Sequence, residues 1–413
     1  MNKSFEYLMY LFACGAKGEQ ARALPDADFE EIIRLAKAQG AWQTVFLAIK
    51  QSENANLIDA GLFKEINSLF LLSCIKNQQK LEFINKVIAE LEASGVEVCV
   101  LKGQSLAQLY KEPDCRISGD VDLLVDIKDE QKAIEILRKF EFNVEARPYS
   151  SNHSECVHPV FGIVELHIAL YYDIIYDVWF DNVEINQEKP VVLNGIKTLG
   201  ITDNYIFIAL HAVKHFLSDG LGIRQIMDLL LFTKRYKNEI DKNRVNETLG
   251  HLKYQKFVDN LFGIGIKYFG FKQDDLFECE YNSEQIIKIL EGVEIGGLFG
   301  KNTVGEKRFF ETYNSMRFNT FKSEKLENYM AKWSRKNAIK KSSLSMANMK
   351  KYYPFLEQKP HLLIVAYAKH LSMISKAIIK RNKLKRYVSY KAPIADNEKI
   401  KERIELIKSL GMV

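Results

Sequence analysis

Along the first 94 residues, apolar positions recur at helical spacing. Asp28 stands where a capping residue belongs, just before Phe29, Ile32, Ile33, Leu35 and Ala36, so a helix is expected there. A second, longer helix is expected from Phe70 to Leu91, stopped by Ser94-Gly95. The pattern then changes. The segment from Val96 to Leu101 is short, rich in valine and bounded by Gly95 and Gly103, which reads as a strand. A short helix (Ser105 to Tyr110), a loop from Pro113-Asp114 and a strand over Val121 to Val125 follow. Next come a helix capped by Asp129 and running to Phe140, a strand near Asn143 to Ala146, and a strand from Gly162 to His167. Strands mixed with helices over about 100 residues imply an α/β core. Beyond Thr202 the helical pattern returns as far as about Gly270, and residues 300–356 are polar, basic and weakly periodic. The expected organisation is therefore a helical region over 1–94, a core over 95–200, a helical domain over 201–300 and a basic, mostly helical region over 301–413.

Composition adds one thing to this picture. The chain has 413 residues, 47% hydrophobic and 27% charged, with 22 glycines and 8 prolines, which excludes collagen-like and globally disordered classes. The net charge of +5 hides an asymmetry: 26 of the 58 basic residues but only 9 of the 53 acidic ones lie beyond residue 300. The last 113 residues thus carry a formal +17, and the first 300 carry −12. The six cysteines, Cys14, Cys74, Cys99, Cys115, Cys156 and Cys279, form no C-x-x-C pair and fit a reducing compartment. The N-terminal apolar run contains Glu6 and continues as a helix, unlike a signal peptide. The longest apolar stretch, His361 to Ile379, is broken by Lys369, His370 and Lys376 and falls short of a membrane span. A cytoplasmic location is expected, with peripheral membrane association as the other option.

The candidate chemistry sits in Leu101-Lys102-Gly103-Gln104-Ser105 and in Arg116-Ile117-Ser118-Gly119-Asp120-Val121-Asp122-Leu123-Leu124-Val125. On a strand, residues two apart face the same side, so Asp120 and Asp122 project together, roughly 7 Å apart. Such a pair needs a cation, and its hard oxygens suit Mg²⁺ or Mn²⁺. Glu165, on a later strand of the same unit, would be a third carboxylate and would complete a site able to clamp both oxygens of a phosphoryl displacement. Gly103 lets a backbone approach phosphate, and the N–H groups of the following turn, at Gln104 and Ser105, aim at the anion. Lys102 and Arg116 supply positive charge for the phosphate oxygens.

These motifs resemble the nucleotidyltransferase superfamily typified by DNA polymerase β. More narrowly, the chain resembles the bacterial uncharacterised nucleotidyltransferase family often associated with polysaccharide gene clusters. Leu101-Lys102-Gly103, Arg116 to Val125 and Val164-Glu165-Leu166-His167 match its motifs. His211-Ala212-Val213-Lys214-His215 and Arg224-Gln225-Ile226-Met227-Asp228 match its helical elements. The likeness runs over about residues 70 to 235. It implies an α+β fold, with a polymerase-β-like core of mixed sheet and flanking helices embedded between helical N- and C-terminal regions. It also implies metal-dependent transfer of a nucleotidyl group from an NTP, with metal held by Asp120, Asp122 and Glu165. One departure stands out: Gly103 is followed by Gln104, where the superfamily has Ser or Gly.

Other candidates are less determined. His211 and His215 share one helix face and are read as structural, cleft-lining or metal-binding. Arg224 and Asp228 are read as an ion pair within one helix, with phosphate contact by Arg224 the other option. His167 is read either as hydrogen-bonding around Glu165 in the cleft or as facing the second layer, and His153 and His158 fall in a loop-like stretch that can close over the site. Residues 330–353 mix Lys332, Arg335, Lys336, Lys340, Lys341, Lys350 and Lys351 with Trp333, Tyr352 and Tyr353. Together with the segment from Leu362 to Ile379 and its basic flank, they suit an anionic lipid surface, a nucleic-acid backbone or a solvated tail. Two further readings compete with nucleotidyl transfer: a D-x-D glycosyltransferase using a nucleotide sugar, and a catalytically degenerate binding or scaffold protein.

Overall fold

The structure, a computed structural model, describes residues 1–145, 153–170, 187–217, 220–296, 353, 356, 359–366, 368–369 and 398–413. Four helices come first: α1 (Lys3–Lys17), α2 (Phe29–Ala38), α3 (Trp42–Lys50) and α4 (Ala60–Ala93). Asp28 caps α2 as expected, its carboxylate accepting from the Glu31 N–H at 3.0 Å. Helix α4 begins ten residues earlier than the hydrophobic pattern suggests, capped by Asp59 through the Leu62 N–H at 2.8 Å. Of the ten residues this adds, only Ile66 is buried, too sparse an apolar stripe to mark the start.

The sheet comprises β1 (Val98–Val100), β2 (Asp120–Val125), β3 (Asn143–Val144), β4 (His153–His158) and β5 (Gly162–His167), in the order β1-β2-β5-β4-β3. Strands β2 and β5 are parallel, and every other pairing is antiparallel, so the sheet is mixed. Short helices α5 (Gln104–Ala107) and α6 (Glu130–Lys139) lie between strands. Several expectations are corrected here. The first strand and the short helix are each shorter than predicted. Asp129 makes no side-chain cap; Asp126 accepts from the Lys128 N–H instead, and opens a 3₁₀ turn before α6. The segment holding His153 and His158 is a strand, not a loop. Its inward residues are Ser154, Cys156 and His158, so its alternation is invisible to hydropathy.

One face of the sheet is apolar. Val98, Val100, Val121, Leu123, Val125, Cys156, Val164 and Leu166 pack on Ile84, Val87 and Leu91 of α4 and on Ala133, Ile134, Ile136 and Leu137 of α6. A hairpin, β6 (Val191–Leu193) and β7 (Ile196–Thr198), flanks β1, where the Thr198 hydroxyl donates to the Val100 carbonyl at 2.6 Å. Its turn, Asn194-Gly195, has φ of 49° and 80°, the two left-handed residues of a type I′ turn, and is a strong sequence signal that the strand reading passed over.

After the sheet come α7 (Ile201–Leu217), α8 (Ile223–Tyr236), α9 (Lys242–His251), α10 (Gln255–Tyr268) and α11 (Ser283–Gly296), and near the C-terminus α12 (Glu398–Ser409). Phe5, Phe12 and Phe46 of the first helices share one buried cluster with Ile206, Leu230, Phe257 and Ile289 of this later group and with Ile407 of α12. Helix α4 spans both cores, with Ile66 and Phe70 in the helical one and its C-terminal half against the sheet. At 34 residues it is roughly 50 Å long, enough to tie the two together. Among the described residues, no helix is long and apolar enough to cross a membrane. The basic–aromatic stretch over 330–352 and most of the segment over 362–379 lie outside the described residues.

Candidate active site

The second face of the sheet carries the polar set. In the parallel pair β2–β5, Asp122 stands directly beside Glu165, Asp120 beside Ile163 and Leu124 beside His167. In the antiparallel pair β4–β5, His153 stands beside His167 and Glu155 beside Glu165. Alternation along the strands sends all of these to the face opposite the valine and leucine layer. One ligand oxygen from each of Asp120, Asp122 and Glu165 lies within 4.8 Å of the others.

Lys102 reaches this cluster because β1 runs antiparallel to β2. The residues leaving the end of β1 therefore meet the start of β2, and the Leu101 N–H donates to the Asp122 carbonyl at 3.1 Å. The Lys102 ammonium sits 3.2 Å from Asp122 Oδ1. His167 Nε2 lies 3.0 Å from the same oxygen and 3.2 Å from Glu165 Oε2. Burial pushes the Asp122 carboxyl up, but Lys102 and His167 outweigh it and hold the group well below the usual carboxylate range. Burial likewise opposes charge on Lys102 and His167, and the surrounding carboxylates raise both. Burial also opposes charge on Glu165, and the His167 hydrogen bond outweighs it and holds that carboxyl low as well. All-oxygen donors at this separation fit a hard dication such as Mg²⁺ or Mn²⁺.

The K-G turn is built around a strained glycine. Gly103 has φ +63° and ψ −96°, and a Cβ there would meet Ser118 Oγ at 2.8 Å. Gly103→Ala is expected to destabilise the protein by about 1–3 kcal/mol, the usual cost of such a backbone position, read as a lowered urea midpoint. Gln104 and Ser105 follow, both buried. The Gln104 amide donates to Asn85 Oδ1 at 3.2 Å, while Gln104 Oε1 and Ser105 Oγ have no partner among the described residues.

Arg116 does not stand as a free phosphate ligand. Its guanidinium forms a bidentate pair with Asp228 at 2.9 and 2.5 Å and donates to the Gly103 carbonyl at 3.1 Å and to Ser118 Oγ at 2.8 Å. The Tyr110 hydroxyl also donates to Asp228, at 2.9 Å. Arg224 is not paired with Asp228 either, which corrects the helix ion-pair reading. It donates to the carbonyls of Ile117 and Gly40, and burial together with the charge of Arg116 pulls it down to about 10. Both residues of the R-x-x-x-D element on α8 therefore clamp the loop that delivers Asp120.

Lys80 of α4 does the same from the other side, donating to the carbonyls of Ser118 and Gly119 at 3.2 and 2.8 Å. The sequence reading missed it, although a signal existed. Phe70, Asn77, Ile84 and Leu91 recur every seven residues on the buried stripe, and the polar member, Asn77, marks where α4 crosses the loop before Asp120.

His211 and His215 of α7 face each other, Nε2 to Nε2, at 3.0 Å. Burial, with Lys102 and Lys214 nearby, depresses both, His215 to about 3 and His211 well below its ordinary value, so both rings are neutral and one donates to the other. Phe207, one turn earlier, packs with Leu101 and Leu124, which sets α7 beside the polar face. His158 lies elsewhere. Its ring packs on Phe83, Phe142 and Phe161, and its Nδ1 accepts from the N–H groups of Val160 and Phe161, so it shapes the β4–β5 turn on the apolar side.

A crystal structure of an antigenic nucleotidyltransferase-like protein from Paracoccidioides brasiliensis matches at 16% identity, over 39% of this chain and 73% of that one, with a TM-score of 0.23. A search of curated proteins finds no match. The model of a family described as uncharacterised nucleotidyltransferase matches residues 25–270, which takes in the whole sheet, the clamping helix α8 and most of the N-terminal helices, and the chain belongs to that family.

Proposed function

We propose that the protein transfers a nucleotidyl group from an NTP to a hydroxyl acceptor, with release of pyrophosphate. The observation that carries this reading is the register of β2 and β5, which sets Asp122 beside Glu165 with Asp120 two residues away on the same face. Asp120, Asp122 and Glu165 would hold Mg²⁺. The ion, when bound, would stabilise charge on the reacting phosphate and lower the pKa of an oxygen nucleophile. Lys102, fixed beside Asp122, lies where it can neutralise a phosphate oxygen as charge builds there. The Ser105 hydroxyl, just after the glycine turn and without a hydrogen-bond partner among the described residues, would be a donor for the triphosphate. Arg116, Asp228, Arg224 and Lys80 act by holding the 116–119 loop, so that Asp120 meets the ion without reorganisation.

The glycosyltransferase alternative has less support. That reading needs strand–helix alternation before the D-x-D, and β1 is the sole strand preceding Asp120. The test is incubation of the full chain with Mg²⁺, each α-labelled NTP and cell extract. Label transferred to an acceptor, together with pyrophosphate, and lost in Asp120→Asn, is the expected result. Release of a nucleoside diphosphate from a nucleotide sugar would replace this reading by glycosyl transfer. Absence of any NTP binding in calorimetry would replace it by a scaffold.

A further inference from the structure

Two imidazoles share this face with the three carboxylates. His153 opens β4 and His167 closes β5; they are register partners, and their ring centroids are 5.1 Å apart. Glu165 lies between them, with His153 Nε2 4.0 Å from its Oε1 and His167 Nε2 3.2 Å from its Oε2. One donor atom from each of the three falls within 4.8 Å of the others.

Coordination geometry gives these distances a meaning. Two ligands held about 2.1 Å from one ion are roughly 3.0 Å apart at a right angle and roughly 3.4 Å apart at a tetrahedral angle. His167 Nε2 already stands at such a separation from Glu165 Oε2. His153 Nε2, at 4.0 Å from Glu165 Oε1, would close by about 0.6–1.0 Å to reach such a separation, and its side chain is partly exposed. An imidazole nitrogen is a softer donor than a carboxylate oxygen. Mg²⁺ seldom accepts it, whereas Zn²⁺ commonly does.

We propose that Glu165 is shared by two metal positions: an all-oxygen one with Asp120 and Asp122, and a mixed one with His153 and His167 that selects Zn²⁺ or a similar borderline dication over Mg²⁺. The inference deepens the nucleotidyl-transfer reading and rests on it for the role of the first position. The second position is read without nucleotide. It makes the centre asymmetric, with the imidazole-bound ion held on the β4 side of Glu165 and the oxygen-bound one on the β2 side.

The test is equilibrium dialysis of the full, metal-stripped chain against Zn²⁺ in excess Mg²⁺, beside His153→Gln and His167→Gln. Because the chain has six free cysteines, the quantity read is the difference between proteins rather than total zinc. Wild type is expected to retain about one zinc per chain more than either variant, a loss of the whole second position. Co²⁺ in place of Zn²⁺ should show visible bands that vanish in His153→Gln, without the sulfur-to-metal absorption that a cysteine site would give. His153 is partly exposed, so His153→Gln carries the test if the buried His167 variant fails to fold, as checked by circular dichroism. Equal zinc in wild type and His153→Gln overturns the proposal even if Mg²⁺-dependent pyrophosphate release persists. Zinc bound through the histidines with no nucleotidyl transfer under any condition overturns the activity assigned above, and leaves a histidine-dependent metal site standing.

Discussion

Asp122→Asn is expected to lower nucleotidyl transfer by about 10³-fold or more, with a much smaller effect on folding. Asp122 is 1% exposed and is the meeting point of the site, since Lys102, His167 and the neighbouring Glu165 all converge on it. The amide keeps the shape but removes the charge that would hold a metal ion. Lys102 and His167 keep partial compensation from Glu165, and Lys102 also from Asp120, which limits the folding penalty. The measurement is label transfer from an α-labelled NTP under saturating Mg²⁺, beside a urea unfolding curve. Asp126→Asn, at an exposed position just past the same strand, is the control, because asparagine also caps the turn there and activity should not change. Unchanged turnover in Asp122→Asn would remove the carboxylate cluster from the chemistry altogether.

Asp228→Ala is expected to destabilise the protein by about 3–5 kcal/mol, the range for removing one partner of a buried ion pair. Arg116 and Asp228 side chains are each 6% exposed, and the carboxylate also takes the Tyr110 hydroxyl. Its loss strands a buried guanidinium, with burial working against that charge and the nearby Arg224 cation left uncompensated. The penalty is measured as a shift in the urea midpoint at unchanged slope. Since Arg116 also holds Gly103 and Ser118, turnover should fall in Asp228→Ala even under conditions where the variant is fully folded. A variant as stable as wild type would show that the clamp contributes nothing.

The two predictions mark different depths of legibility. Asp120, Asp122 and Glu165 were readable as a set because the motifs that carry them sit on short strands with apolar neighbours on the other face. The register now explains why Val164 and Leu166 flank Glu165: they belong to the apolar layer, as Val121 and Leu123 do beside the aspartates. The Arg116–Asp228 pair could not be read in this way. Its partners are 112 positions apart, and the helical spacing of Arg224 and Asp228 suggested a local pairing that tertiary packing overrode. His153 and His158 differ for a similar reason. They end the same strand, but their faces are set by the pairing of β4 with β5, so one joins the carboxylates and the other packs on Phe83.

What the sequence alone determined was local: the helical periodicity of the first and third quarters of the chain, the strands around the K-G and D-x-D motifs, and the identity of the acidic residues. These follow from side-chain alternation and short-range spacing, which need no knowledge of distant contacts. Tertiary structure alone decided which residues meet. The parallel placement of β5 beside β2 brings Glu165 to Asp122 across 43 positions, α8 clamps the loop before Asp120, and α4 joins the two cores. Such pairings depend on burying both apolar faces at once, a condition on the whole chain that no single segment carries.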